Sequence, residues 1–250
     1  MLLSGNGLSA MALKKLALIS MVMDHVGVLF LTIRNGAPFF KMAGKMLRIP
    51  GRLAFPIYVF LLVEGFIYTR SRRRYAGRLL LFGLISEIPY DLLLKRRIVD
   101  ISCQNVYFEL FICLLVLIGL ETGEKRTAMG DPGGSPIIVL SVWGGTMAAE
   151  LLHADYGIEG VLFTAIFYLF RYKNEIRCLL MAIMGFLCSW SFGKGAAVLS
   201  AIPVWLYNGT RERNRRGMFF YWFYPAHILL LILIRQFIEK WIFGNFLLMN

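Results

Sequence analysis

The feature that most constrains this 250-residue chain is a succession of long apolar stretches, separated by short basic loops and interrupted by ionisable residues. The stretches run at roughly 15–33, 53–69, 76–94, 105–121, 136–152, 157–172, 177–192, 196–208 and 218–238. A helix needs about 20 mostly apolar residues to cross a bilayer. The pattern predicts an all-α polytopic transmembrane bundle of about nine membrane helices (range eight to ten), forming a single domain over residues 1–250. Composition agrees: 17% of the residues are charged, against about 25% in soluble domains, which is too little polar surface for a water-soluble fold of this size. The first stretch follows Lys14 and Lys15 like a secretory signal, but no small-residue cleavage site follows it and Asp24 and His25 interrupt its centre. It reads as the first membrane helix.

The net charge of +12 resides in interhelical loops and not in a separate basic domain. Topology and anionic headgroups account for most of it, and no nucleic-acid partner is expected. With the N-terminus in the cytoplasm, the inside segments hold Lys14, Lys15, Arg70, Arg72, Arg73, Arg74, Arg78, Lys125, Arg126, Arg171, Lys173, Arg177, Arg211, Arg213, Arg215 and Arg216, which are 16 of the 27 basic residues. The segment from Arg34 to Arg52 is the main exception. Its Lys41, Lys45, Arg48 and Arg52 share one helical face, which predicts an interfacial amphipathic helix near residues 38–50, lying on the membrane surface. Cys103, Cys113, Cys178 and Cys188 form no CxxC pair and read as small apolar filler, with no metal site.

Ionisable groups recur within the apolar stretches: Asp24, His25, Glu64, Glu87, Asp91, Glu109 and Glu150. Each costs at least ~2.5–3.5 kcal/mol near the bilayer centre, so the set predicts a polar internal cavity. His25 lies about 15 Å into the first helix at ~1.5 Å per residue. Lys14 precedes it by eleven positions, about 20° short of or beyond whole turns, so the two share a face roughly 16 Å apart. A ligand with phosphates at the surface and a long arm, such as coenzyme A, would bridge them. Spacing alone favours a plainer reading, in which Lys14 marks a helix end and His25 packs.

Five segments carry a resemblance: LKKLALISMVMDHVG (Leu13 to Gly27), GRLAFPIYVFLLVEGFIYTR (Gly51 to Arg70), RYAGRLLLFGLISEIPYDL (Arg74 to Leu92), NVYFEL (Asn105 to Leu110) and FYWFYPAHILLL (Phe220 to Leu231). In order and over nearly the whole chain, they resemble the TraX family of conjugal-transfer membrane proteins; residues 121–200 add only hydrophobicity. That family is implicated in N-terminal acetylation of F-type pilin. It is similar to a wider group of membrane acyltransferases that carry a basic residue shortly before a histidine in their first helix. The resemblance implies an acyltransferase of the bacterial cytoplasmic membrane that moves an acetyl group from acetyl-CoA to an amine or hydroxyl on a pilin, glycan or small molecule.

On that reading His25 is the general base. Its tautomer is held by a carboxylate, for which Glu87 or Asp91 is better placed than the adjacent Asp24. His227, in FYPAH, is a second catalytic candidate. Lys14, Arg70, Arg74 and Arg78 are candidates for the coenzyme's phosphates, and Asn105, Glu109 and Glu64 for the acceptor side. Tyr221 and Tyr224 are expected at the interface with wet hydroxyls. The alternatives are a proton- or ion-coupled transporter using the buried Asp, Glu and His residues, although no repeat with paired broken helices is visible, and a non-catalytic assembly scaffold.

Overall fold

The computed structural model describes residues 7–33, 37–187, 194–211 and 217–243. Within these the chain is helical: α1 (Ala10–Thr32), α2 (Pro38–Gly51), α3 (Ala54–Tyr68), α4 (Arg72–Leu94), α5 (Val106–Ala128), α6 (Gly134–Leu151), α7 (Ile158–Leu169), α8 (Asn174–Leu187), α9 (Ala201–Trp205) and α10 (Gly217–Ile238). A 3₁₀ turn over Lys194–Ser200 precedes α9. Among the described residues, β-pairing is limited to the isolated bridges Leu8–Tyr207 and Gln104–Ala154. Side-chain caps start three of the helices: Ser9 accepts the Ala12 amide at 3.2 Å, Ser71 that of Arg74 at 3.4 Å and Asn105 that of Tyr107 at 3.0 Å.

The expected all-helical membrane architecture is present, but the expected number of crossings is not supported. Among the described residues, four helical runs are long and apolar enough to span a bilayer: 10–32, 38–68, 106–128 and 217–241. α4 has 23 residues but opens on three arginines, and α7 to α9 are short. The end of the expected 177–192 segment lies outside the described residues, as do Arg34, Cys188, Arg213, Arg215 and Arg216.

Helix directions follow from side-chain pairs. α1, α4 and α10 run parallel: Arg78 meets Tyr221 near their starts, and Arg96 and Arg235 both reach Thr32 near their ends. α5 runs the other way, with Arg72 against Glu121 at one end and Glu87 against Asn105 at the other, and α3 ends where α4 begins, with Glu64 against Arg211 and Phe66 under Arg72. One end of the bundle, called the basic end below, therefore gathers Lys14, Arg78, Arg171, Arg177 and Arg211. The far end holds Glu87, Asp91 and Asn105.

The amphipathic helix is present as α2, but it does not lie across the membrane-spanning direction. It runs antiparallel along the second half of α1, with Phe40 against Phe30, Gly44 against Gly27 and Gly51 against Asp24. Glycine causes this approach: a Cβ on Gly27 would stand 2.7 Å from the Gly44 carbonyl oxygen. Ser20 completes the join, donating to the Pro50 carbonyl at 2.5 Å and so satisfying an end-of-helix acceptor. Lys41 and Lys45 remain exposed, whereas Arg48 and Arg52 turn inward to Asp24.

Candidate functional site

His25 on α1 and His227 on α10 meet at the centre of the bundle. Their rings stack with centroids 4.9 Å apart, His25 Nδ1 lies 2.7 Å from His227 Nε2, and both residues are buried. His227 Nδ1 lies 2.7 Å from the Phe223 carbonyl oxygen one turn earlier on α10. A carbonyl only accepts, so in the neutral ring His227 Nδ1 carries the hydrogen and Nε2 is bare. The hydrogen between the rings then belongs to His25 Nδ1, and His25 Nε2 keeps its lone pair. The chain Phe223–His227–His25 thus fixes the tautomer that a general base requires.

This corrects the expected partnership of His25, because Glu87 and Asp91 are engaged elsewhere. Glu87 Oε2 accepts the Asn105 amide at 3.2 Å and its side-chain nitrogen, tying α4 to α5, while Asp91 Oδ2 accepts the Asp100 amide at 2.8 Å. Asp24, as its position suggests, does not orient His25; it pairs with Arg48 and Arg52, each at 3.3 Å.

At the basic end, Lys14, Arg78 and Arg211 line a cavity of about 920 Å³ with Tyr58, Tyr75 and Tyr221. That lies in the ~300–1,000 Å³ range of small-molecule sites. Among the described residues its lining has three cations and no carboxylate, a composition that suits an anion. Lys14 reaches it from the helix that carries His25, as the eleven-residue spacing implies. Arg70 and Arg74 are not part of its lining, and both are exposed. Glu64 is also misplaced relative to expectation. It sits at the basic end, bonded to Arg211 and to the Tyr207 hydroxyl, away from Asn105 and Glu109.

Two tyrosines separate the cavity from the histidines. Tyr107 lines the cavity, and its ring meets Tyr224 edge-on at 5.1 Å; Tyr224 meets His25 in the same way at 5.7 Å. Pro225 has no amide to give the Tyr221 carbonyl one turn back, and the Tyr107 hydroxyl donates to that oxygen at 3.2 Å. Tyr224 is therefore a buried wall and not an interfacial residue with a wet hydroxyl, while Tyr221 does face the cavity.

The far side of the histidines is polar. Asn105 and Glu109 are buried, and Glu109 lies against Gly160, where a Cβ would stand 2.2 Å from Oε1. Tyr90 donates to Asp155 at 3.2 Å beside Cys103. Burial and the Asp155 charge push the Cys103 thiol up from its usual range. Among the described residues no group of His, Cys, Asp and Glu could hold a metal ion. Glu150 is exposed, not buried; its Oε1 accepts the Ile158 amide at 3.0 Å and starts α7. No pattern in the sequence singles out Arg211 or Asp155 for the site, because each sits on a loop brought back from a distant part of the chain.

Comparison with known proteins follows the same outline. The sequence model of a family described as TraX protein matches residues 9–235. The chain is 30% identical to a protein of Dichelobacter nodosus described as "Probable fimbrial assembly protein FimC, serogroup H1", over 92% of this chain and 97% of that one. It is 27% identical to "Protein TraX" of Escherichia coli, over 88% of this chain and 84% of the relative. No solved structure matches.

Proposed function

Because the chain belongs to the TraX family, we propose that it is a membrane acetyltransferase that takes its acetyl group from acetyl-CoA on the cytoplasmic side of the bacterial inner membrane. The observation that carries this reading is the juxtaposition of a tautomer-locked histidine pair with a cavity lined by three cations, two aromatic rings apart. Lys14, Arg78 and Arg211 hold the phosphates of the donor, and the long arm runs between Tyr58, Tyr75 and Tyr221 towards Tyr107. The basic end faces the cytoplasm, with the N-terminus on that side.

In the transfer, the acceptor amine or hydroxyl attacks the thioester carbonyl while His25 Nε2 takes its proton. The positive charge that forms on His25 is shared across the 2.7 Å contact with His227, whose Nδ1–H is fixed on a backbone carbonyl. The C–S bond then breaks, and the CoA thiolate takes the proton back from His25. The acetyl group ends on the acceptor and the free thiol leaves, so the base is regenerated. The acceptor approaches from the far end, past Asn105 and Glu109. A pilin-type polypeptide is the acceptor that the fimbrial description of the D. nodosus relative favours.

The test is release of free CoA from acetyl-CoA by the purified, detergent-solubilised chain, compared with His25→Ala. Release that depends on His25 supports donor and base together. A His25→Ala variant as active as wild type would remove His25 from the mechanism. No release, with no rise in melting temperature on adding CoA, would return the chain to the transporter reading.

A further inference from the structure

Among the described residues, Arg211 is the cation of the cavity that a carboxylate already engages. Its Nη2 donates to Glu64 Oε2 at 2.6 Å and to the Glu64 carbonyl oxygen at 2.7 Å, and its guanidinium lies 3.4 Å from the centre of the Tyr68 ring. Glu64 is not part of the cavity wall, although Arg211 is. The Tyr207 hydroxyl donates to the same carboxylate oxygen at 2.9 Å. The buried Arg177, whose guanidinium stacks on Phe60 at 4.9 Å, adds its charge to the same neighbourhood.

The backbone that carries Arg211 is fixed in place. Leu8 donates to the Leu206 carbonyl at 2.7 Å, Asn208 to the Leu8 carbonyl at 3.1 Å and Ala10 to the Thr210 carbonyl at 3.0 Å. This clasp joins the segment before α1 to the loop after α9 and delivers a guanidinium to the mouth of the cavity. The Glu64–Arg211 pair itself is partly exposed, with side chains 17% and 30% accessible, and such pairs add little to stability. It is therefore cheap to exchange for a partner with more charge and more oxygens. Phosphate is such a partner, and the guanidinium fork fits it in bidentate fashion.

We propose that Glu64 is an internal stand-in for a ligand phosphate on Arg211, and that filling the cavity exchanges the Glu64 carboxylate for that phosphate. The inference rests on the reading of the cavity as a coenzyme A site. Glu64 then sets the affinity of the site by competing for Arg211, and Tyr207 tunes the competition by holding the carboxylate in place.

The experiment is calorimetric titration of the full-length, detergent-solubilised protein with CoA, and in parallel with pantetheine, which has the arm without the nucleotide phosphates. Glu64→Gln should bind CoA roughly threefold to fivefold more tightly than wild type, and pantetheine no differently. Tyr207→Phe, which keeps the ring packed on Phe60, should shift CoA affinity the same way by less, and it carries the test if Glu64→Gln does not fold. Wild-type binding of CoA with unchanged or weaker affinity in the variants would overturn the inference alone and make Glu64 a support for Arg211. An equal gain for pantetheine would also overturn it. Absence of CoA binding by wild type would remove the coenzyme site and this inference with it.

Discussion

The bundle has two unlike regions. In α1 to α5 and α10, polar side chains cross between helices: His25 to His227, Glu87 to Asn105, Arg235 to the Leu92 and Leu93 carbonyls, Ser20 to Pro50. In α6 to α9 and the 3₁₀ turn before α9, the buried serine and threonine hydroxyls turn back on their own turns, Thr164 to Gly160 and Ser200 to Ala197, and large apolar side chains such as Val139, Trp143, Leu179 and Phe186 are exposed. In lipid, exposed apolar side chains cost nothing, while a polar bond between helices must be positioned by both partners. The first region is therefore specified for a task and the second for residence in a bilayer. Tyr168, which donates to Glu124 of α5 at 3.0 Å, and Arg177, stacked on Phe60 of α3, are exceptions, and both stand where the second region touches the basic end.

The largest effect that would break this comparison is catalytic. His25→Ala should lower CoA release about 10²- to 10⁴-fold. His227→Ala, which removes only the partner that orients His25, should cost about ten- to a hundredfold. Both are read in the CoA-release assay after the melting temperature shows that the variants fold. Equal losses for the two would make the pair a single catalytic unit; no loss for His227→Ala would remove its positioning role.

Packing gives the next contrast, since each region has a glycine joint. A Cβ on Gly27 would stand 2.7 Å from the Gly44 carbonyl oxygen, and one on Gly123 the same distance from the Gly134 carbonyl oxygen. Valine at either position should cost about 1–3 kcal/mol through overpacking. Gly27→Val pushes α2 away from α1 two residues from His25, and it should lower both the melting temperature and the activity per folded molecule. Gly123→Val opens the α5–α6 joint and should lower the melting temperature alone. Equal loss of activity in both would show that the two regions are coupled.

A third, smaller effect tests the cavity. Lys14→Ala and Arg78→Ala should each raise the KM for acetyl-CoA by about tenfold, or about 1.4 kcal/mol, with kcat nearly unchanged. The difference from wild type should shrink at high salt as the charges are screened. A fall in kcat with KM unchanged would place these cations in the chemical step instead.

The two regions also differ in what could be read from sequence. Lys14, His25 and their shared face followed from helical periodicity, because both lie on one unbroken helix. The His25–His227 contact did not, because periodicity places a residue on a face and is silent about which helix will meet it. Glu87 and Asp91 failed as partners for the same reason: they occupy one side of α4, but that side meets Asn105 and the Asp100 amide. Glu64 was assigned to the wrong end because a hydrophobic segment shows that a carboxylate is inside without showing what pairs with it. Arg211 was counted as a loop charge, since the clasp between residues 7–10 and 206–210 joins opposite ends of the chain. Within the described residues the hydrophobic segments became helices, but the count of crossings could not follow, since an apolar helix of 12 residues such as α7 folds as readily inside a bundle as across a bilayer.

The smallest expected effect isolates the second region from the site. Glu150 Oε1 accepts the Ile158 amide at 3.0 Å, eight residues ahead, and so caps the first turn of α7, whose preceding Gly157 has φ of +51°. That backbone conformation favours glycine, and Glu150 holds the chain as it turns from α6 into α7. Glu150→Gln keeps an acceptor oxygen but loses the charge that favours a helix N-terminus, a change of about 0.3–1 kcal/mol. The melting temperature should fall by no more than about 2–4 °C, and CoA release should be unchanged. Any measurable loss of activity would mean that the α6–α7 corner, through Tyr156 stacked on Phe55 at 3.4 Å, helps to set the far-end carboxylates, and the boundary between the two regions would then have to move to include α7.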